Sequence, residues 1–214
     1  FMLSCGVKLI IAACNTVSAV ALDSLKRDYP DQIILGVIDS GVRAVIDSGA
    51  ERVAVIGTRA TVNSDAYRRG IHAANCSIRV ESIACPLLVP LAEEGVTSGP
   101  IVPAVFDLYL AKLRQDPPDA LLLGCTHYPL FIEALNDYFS GKVQILDSAT
   151  ACARYTAEFL CEHHIAAHPG NTPSFGCFVT DLPSEFHRHA TRFLGRAPGR
   201  RPASTPPPAP PSPP

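Results

Sequence analysis

Two stretches of this sequence end an apolar run in small residues and then present a cysteine beside polar side chains. They are Ile10-Ile11-Ala12-Ala13-Cys14-Asn15-Thr16 and Leu121-Leu122-Leu123-Gly124-Cys125-Thr126-His127-Tyr128-Pro129. A thiolate is a base and a thiol is a proton donor in one range of pKa, so two cysteines can serve as the base and the acid of a single proton-transfer reaction. Each apolar run reads as a buried parallel strand and each is followed by a helical pattern, which places each cysteine at a strand-to-helix corner. In open α/β sheets such corners hold ligands, because the carboxyl end of the strand and the first free N–H groups of the helix open on one crevice. The partial positive charge at a helix start also favours a thiolate. Two such corners suggest one thiol for each face of a substrate, with His127, two residues beyond Cys125, placed to assist the second.

The elements that must position these residues are legible from the alternation of patterns. Residues 1–6 look like a helix end with Gly6 as C-cap, followed by a strand over 7–13 and a helix from the first thiol corner to about Tyr29, closed by Pro30. A strand is expected over 33–38, ending at Asp39-Ser40-Gly41, then a short helix over 42–48, capped by Gly49, and a strand over 52–56 ending at the corner Gly57-Thr58. A helix over about 65–74 and a strand over 78–82 follow. Pro86 and Pro90 make the next segment read as a loop. A helix over 102–114, with Val105, Leu108, Tyr109 and Leu113 on one face, leads to the strand 120–123 and the second thiol corner. Beyond it come a helix over 129–138, a strand over 143–146, the corner Asp147-Ser148-Ala149-Thr150, a helix over 151–163, a last strand over 175–180 and a last helix over 184–194. After Gly195 the composition turns to Pro, Ala, Ser and Arg, which reads as a disordered Pro-rich tail over 196–214. Strand and helix alternate throughout, so the fold class is α/β with doubly wound parallel sheets, and the two thiol corners suggest two lobes facing a cleft.

Composition narrows the setting. With 214 residues the chain is long enough to bury a core in one or two domains without a metal or disulfide. A net charge of −2 leaves no electrostatic footprint for nucleic acid or anionic lipid. The apolar runs are too short to span a bilayer and none follows a basic segment at the start, so a cytoplasmic protein is expected. The eight cysteines are scattered, which favours free thiols over a disulfide framework. No metal is expected, since Cys125 and His127 have no second pair at ligand spacing. Cys5, Cys76, Cys85, Cys152, Cys161 and Cys177 read as structural. The chain starts with Phe1 inside what reads as a helix entering a strand, so it is expected to be a fragment.

The two cysteine motifs resemble the signatures of the glutamate racemases, in the aspartate/glutamate racemase superfamily. Gly36-Val37-Ile38, Val55-Ile56-Gly57-Thr58, Cys85-Pro86-Leu87-Leu88-Val89-Pro90-Leu91 with Glu93-Glu94-Gly95, and Ile145-Leu146-Asp147-Ser148 are similar to that family in the same order, and the likeness runs to about Gly195. The resemblance implies cofactor-independent interconversion of L- and D-glutamate, which supplies D-glutamate for peptidoglycan. It also implies pseudo-symmetric lobes, residues 1–41 with 151–195 forming the first and 42–150 the second, and it allows a homodimer. The α-proton of an amino acid is a very weak acid, so inversion needs a base on one face and an acid on the other. Cys14 and Cys125 would alternate in these roles. His127 would assist Cys125, and Glu93 or its neighbour Glu94 would supply a further polar catalytic group. Asn15, Thr16, Thr126 and His127 would contact the substrate, and Thr58 would reach its side-chain carboxylate.

The family also opens with an Asp-Ser-Gly motif on its first strand and a Tyr-Gly pair, and neither is found ahead of Cys14 here. Asp39-Ser40-Gly41 matches the string but not its place, so the first lobe is expected to lack its N-terminal strand. An unpaired sheet edge of that kind would leave the chain poorly stable and nearly inactive. The competing readings are an inactive fragment or non-catalytic binding module, a racemase of a related amino acid such as aspartate, and a thiol hydrolase. The last leaves Cys14-Asn15-Thr16 without a purpose. Asn15 and Thr58 also suit helix N-caps, a role compatible with substrate contact.

Overall fold

The computed structural model describes residues 1–179 and 183–195. These fall into two compact units, Lys8–Ile165, and Phe1–Val7 with the described residues from Ala166 onward. In the second of these, a 3-10 turn at Leu3–Cys5 is closed by Gly6 at φ 65°, the left-handed conformation that a C-cap glycine adopts without strain. The rings of Phe1 and Phe178 meet edge to face with centroids 5.1 Å apart. Residues 171–179 form no regular element, so the strand expected from Phe175 is absent over its described part. A strand exists only as half of a ladder, and none of the backbone pairings involves these residues. The tail expected over 196–214 lies outside the described residues.

The unit Lys8–Ile165 alternates strand and helix. It runs β1 (Ile10–Ala12), α1 (Asn15–Val20), α2 (Leu22–Asp28), β2 (Ile34–Gly36), α3 (Val37–Ser48), β3 (Arg52–Gly57), α4 (Arg59–Asn63), α5 (Ala66–Ala74), β4 (Arg79–Ala84), α6 (Leu88–Glu94) and α7 (Ile101–Gln115). There follow β5 (Ala120–Gly124), a 3-10 turn (Tyr128–Phe131), α8 (Ile132–Tyr138), β6 (Gln144–Asp147) and α9 (Ser148–Glu162), while α10 (Pro183–Leu194) belongs to the other unit. Every strand pair is parallel, in a two-stranded sheet β1-β2 and a four-stranded sheet β4-β3-β5-β6. The fold class is therefore α/β, as the alternation implies.

The central strand shows why the apolar run of residues 120–123 is needed. β5 lies between β3 and β6 and is buried along its whole length. Its side chains divide with the two-residue period of a strand. Leu121 and Leu123 join Ala54, Ile56, Phe106, Leu110, Tyr128 and Leu135 in one core, whereas Ala120 and Leu122 join Val53, Val55, Val45, Tyr67 and Ile71 in the other. Tyr128 is fully buried, and its hydroxyl donates to the carbonyls of Gly57 (3.1 Å) and Cys85 (2.8 Å), which pins the second thiol corner beneath the ends of β3 and β4.

Several boundaries differ from expectation for local reasons. The strand expected over 33–38 stops at Gly36, and α3 takes in Val37, Ile38 and the whole of Asp39-Ser40-Gly41. The buried Ser18 hydroxyl donates to Ala12 O (2.8 Å) and accepts from Val37 N (3.2 Å), which fixes the helix start beside the end of β1. An apolar run alone does not say where a buried strand yields to a buried helix. The segment read as a loop because of Pro86 and Pro90 contains α6. Pro90 is the third residue of that helix, where an N–H has no intrahelical acceptor, so the proline removes nothing. The single helix expected to about Tyr29 is broken at Ala21, and that expected from Pro129 begins as a 3-10 turn. The lobe boundaries expected after Gly41 and Thr150 fall inside α3 and α9, which pack together and are tied by Arg43 Nη1 and Glu158 Oε2 at 2.6 Å.

Candidate active site

The first thiol corner forms where β1 ends. Cys14 is extended (φ −78°, ψ 123°) and serves as the N-cap residue of α1, with Asn15 and Thr16 as the first helical residues. The Cys14 side chain is exposed, whereas Asn15 is buried. The Asn15 carboxamide accepts a hydrogen bond from the Tyr67 hydroxyl through Oδ1 at 2.5 Å, and its Nδ2 is buried without a protein partner.

The second thiol corner follows β5. Gly124 pairs with Gly57 of β3, so Cys125 and Thr58 leave the carboxyl ends of neighbouring parallel strands side by side. Thr58 caps α4, accepting from Thr61 N at 3.2 Å. A triangle of hydroxyl contacts then ties this end of the sheet to the first corner. Thr16 Oγ1 lies 2.9 Å from Thr58 Oγ1 and 3.2 Å from Thr61 Oγ1, and the latter two are 3.1 Å apart.

Cys125 is buried, and burial is the largest influence on its thiol, pushing its pKa up. The backbone N–H groups of His127 and Tyr128 pull the other way, while the nearby Cys14 and Glu93 add to the upward shift. The expectation that a helix start would ease ionisation is thus overturned for Cys125: its backbone donors are present, but removal from water outweighs them. The influence of Cys14 on Cys125 means that the two thiols lie within electrostatic reach of each other.

His127 bridges Cys125 to a carboxylate. Its Nδ1 lies 3.9 Å from Cys125 Sγ and 3.3 Å from Thr126 Oγ1, and its Nε2 lies 3.4 Å from Glu93 Oε1. Donation from Nε2 to Glu93 leaves the lone pair of a neutral ring on Nδ1, facing the thiol and the threonine hydroxyl. Glu93, rather than Glu94, makes this contact, from the last turn of α6. The structure therefore brings together Cys125, Thr126, His127 and Glu93, and joins Asn15 and Thr16 of the first corner to Tyr67 and Thr58.

Sequence reasoning did not find Thr61 or Tyr67. Thr61 follows Thr58 by three residues, the spacing at which a cap side chain meets the helix, and was findable on that ground. Tyr67 reads as one more core aromatic. All eight cysteines are free. Of the six assigned to packing, Cys85 and Cys152 are buried, but Cys5, Cys76 and Cys161 are exposed. Burial pushes the Cys85 thiol up to about 12, which makes it inert. Among the described residues no group of three or more His, Cys, Asp or Glu side chains is arranged to hold a metal ion, and no helix is long and apolar enough to cross a membrane.

Known proteins resemble this chain in sequence and in fold. A family model described as Asp/Glu/hydantoin racemase matches residues 3–156. The glutamate racemase of Syntrophus aciditrophicus (strain SB) is 42% identical over 198 residues, covering 92% of this chain and 73% of the relative. The crystal structure of glutamate racemase from Francisella tularensis in complex with D-glutamate superposes with a TM-score of 0.84 at 34% identity, over 92% of this chain and 73% of that one. The glutamate racemase from Thermus thermophilus in complex with beta-chloro-D-alanine gives a TM-score of 0.77 at 36% identity, over 94% and 72%.

Proposed function

Because the chain belongs to the Asp/Glu/hydantoin racemase family, we propose that it interconverts L- and D-glutamate without a cofactor, Cys14 and Cys125 acting on opposite faces of the α-carbon. The observation that carries this reading is the tie between the two thiol corners, at the carboxyl ends of strands in two different sheets, through the Thr16, Thr58 and Thr61 hydroxyls. In one direction the Cys14 thiolate takes the α-proton, the electron pair is held by the adjacent carboxylate, and the Cys125 thiol returns a proton to the other face. The opposite direction exchanges the roles. Asn15, Thr16 and Thr126 hold the carboxylate and ammonium groups, and Thr58 reaches the side-chain carboxylate. His127, oriented by Glu93, receives and returns the proton of Cys125. The same reading carries a cytoplasmic setting, a homodimeric assembly and a supply of D-glutamate for peptidoglycan.

The reading is tested by NMR in heavy water. L- and D-glutamate, supplied separately, should each lose the α-proton signal and converge on the racemate. Failure of both to exchange would overturn it.

A pH profile follows from Cys125. The productive enzyme carries one thiolate and one thiol, so kcat/KM falls once both are ionised. Burial raises the Cys125 pKa, which moves the alkaline fall upward, above the ordinary thiol value of about 8.5. The equilibrium constant of a racemisation is unity, so the profile must coincide for the two enantiomers. Steady-state rates between neutral pH and the alkaline limit check this, and a fall at or below the ordinary thiol value would contradict it.

The relay gives a further expected result. His127→Asn should lower turnover by about 10²-fold, the lower end of positioned proton transfer, and Glu93→Gln by a smaller factor because the ring keeps its place with less definition. Racemisation assays on variants with unchanged thermal unfolding check the order.

A further inference from the structure

We infer that Tyr67 is a positioning residue of this site: its phenol holds the Asn15 carboxamide by the oxygen, so that the amide nitrogen is the end presented to a substrate carboxylate beside Cys14. The inference rests on the glutamate reading, which it deepens by naming what orients one of the substrate-binding groups.

Tyr67 lies on α5 and is 2% exposed. Its ring occupies a slot made by two glycines from different elements. A Cβ at Gly41 of α3 would lie 2.8 Å from Tyr67 Cε1, and one at Gly124 of β5 would lie 3.0 Å from Cε2. Any larger residue at either place would displace the ring. The slot therefore fixes the hydroxyl relative to both α3 and the residue preceding Cys125. From that slot the hydroxyl reaches Asn15 Oδ1 at 2.5 Å.

A carboxamide has an accepting end and a donating end, and the two are exchanged by rotating the side chain half a turn. A phenol that keeps its proton selects between them, because it donates to the oxygen. Burial is the main cause that raises the Tyr67 pKa, with Asp147, Cys125 and Cys152 adding to it and Ser148 opposing it, so the proton is retained. The consequence is visible at the other end of the amide. Asn15 is 2% exposed, and its Nδ2 is buried without a protein partner. Buried polar groups are rarely left so, and an unpaired donor in the residue that follows a candidate base in the chain is where an anionic ligand group would be received. The Tyr67 hydroxyl directs its hydrogen bond to the Asn15 carboxamide and not to a thiol, so its part is to orient and not to transfer a proton.

The test is a double-mutant cycle on glutamate racemisation with Tyr67→Phe, Asn15→Ala and the pair. Tyr67→Phe keeps the ring in its slot and removes only the hydroxyl. It should raise KM roughly tenfold, the scale of one hydrogen bond to a charged group, with a smaller change in kcat. Asn15→Ala should raise KM at least as much, and the double variant should be no worse than Asn15→Ala alone. A purely structural tyrosine gives the opposite result, an equal cost in both backgrounds, which would overturn the inference, as would an unchanged KM in Tyr67→Phe. If Tyr67→Phe fails to fold, Gly41→Ala displaces the ring while keeping the hydroxyl, and its KM effect should likewise vanish in the Asn15→Ala background. Its persistence there would overturn the inference. No exchange of glutamate by the native chain would overturn the glutamate reading and this inference together, whereas exchange with additive costs overturns the positioning role alone.

Discussion

Replacing Cys125 by serine is expected to lower glutamate racemisation by about 10²–10⁴-fold, the contribution of one positioned proton-transfer group, and Cys14→Ser is expected to do the same. A serine hydroxyl keeps the shape but is far too weak an acid to supply the proton or, once ionised, to exist at neutral pH. The informative result is the pattern that survives. With only Cys14 left, an α-proton can be taken from one enantiomer and a deuteron returned to the same face, so that enantiomer exchanges with retention while the other is silent. With only Cys125 left, the preference should reverse. Proton NMR in heavy water resolves both outcomes from one sample per variant. Two variants that favour the same enantiomer would remove the assignment of one thiol to each face.

The second large effect is expected at a residue with no functional group. Gly124→Ala places a methyl carbon 2.9 Å from the carbonyl oxygen of Ile56, 3.0 Å from Tyr67 Cε2 and 3.4 Å from Val55 Cγ1. The first is backbone of the neighbouring strand and the second a ring already held in a slot, so neither yields without moving β5 away from β3. Overpacking of this kind costs about 1–3 kcal/mol. Since Gly124 is joined directly to Cys125, the same displacement reaches the thiol, and a misplacement of about 1 Å can cost on the order of 10²-fold in rate. Urea unfolding and racemisation measured on one preparation check the pair of effects. A variant with native stability and native rate would show that this corner is looser than the distances require.

Much of this site could be read in advance, and the reasons differ by residue. Cys14 and Cys125 stand out because an apolar run ending in small residues and a thiol is a local pattern, complete within seven to nine positions. The pairing of the two corners is not local. It depends on Thr16 meeting Thr58 across 42 residues, which no periodicity encodes. Glu93 and Glu94 are equivalent by composition, and only the turn of α6 decides that Glu93 faces His127. That helix itself was hidden because a proline is a helix breaker in the interior and harmless in the first turn, and the boundary that distinguishes the two was the unknown. The Cys125 thiol departs from expectation for a related reason: the helix-start effect follows from sequence position, but the burial that raises its pKa follows from how β3, β4 and the 3-10 turn close over the corner.

The three threonine hydroxyls carry a constraint of their own. Three hydroxyls possess three protons, and a closed ring of three hydrogen bonds consumes all of them, whichever way round the ring runs. No proton then points outward. An incoming carboxylate, which can only accept, must open the ring at one link and take the proton released there. The link from Thr16 to Thr61, at 3.2 Å, is the longest and the easiest to surrender. The remaining links keep Thr58 joined to both neighbours, so the two corners stay tied while one hydroxyl turns to the ligand. Recognition of a carboxylate at this point is thus an exchange of one hydrogen bond for another, whereas a donating group such as an ammonium can use the spare lone pairs of Thr16 and Thr61 without opening a link, that of Thr58 being taken by Thr61 N. Such a ring discriminates by the direction of the hydrogen bond, not by size.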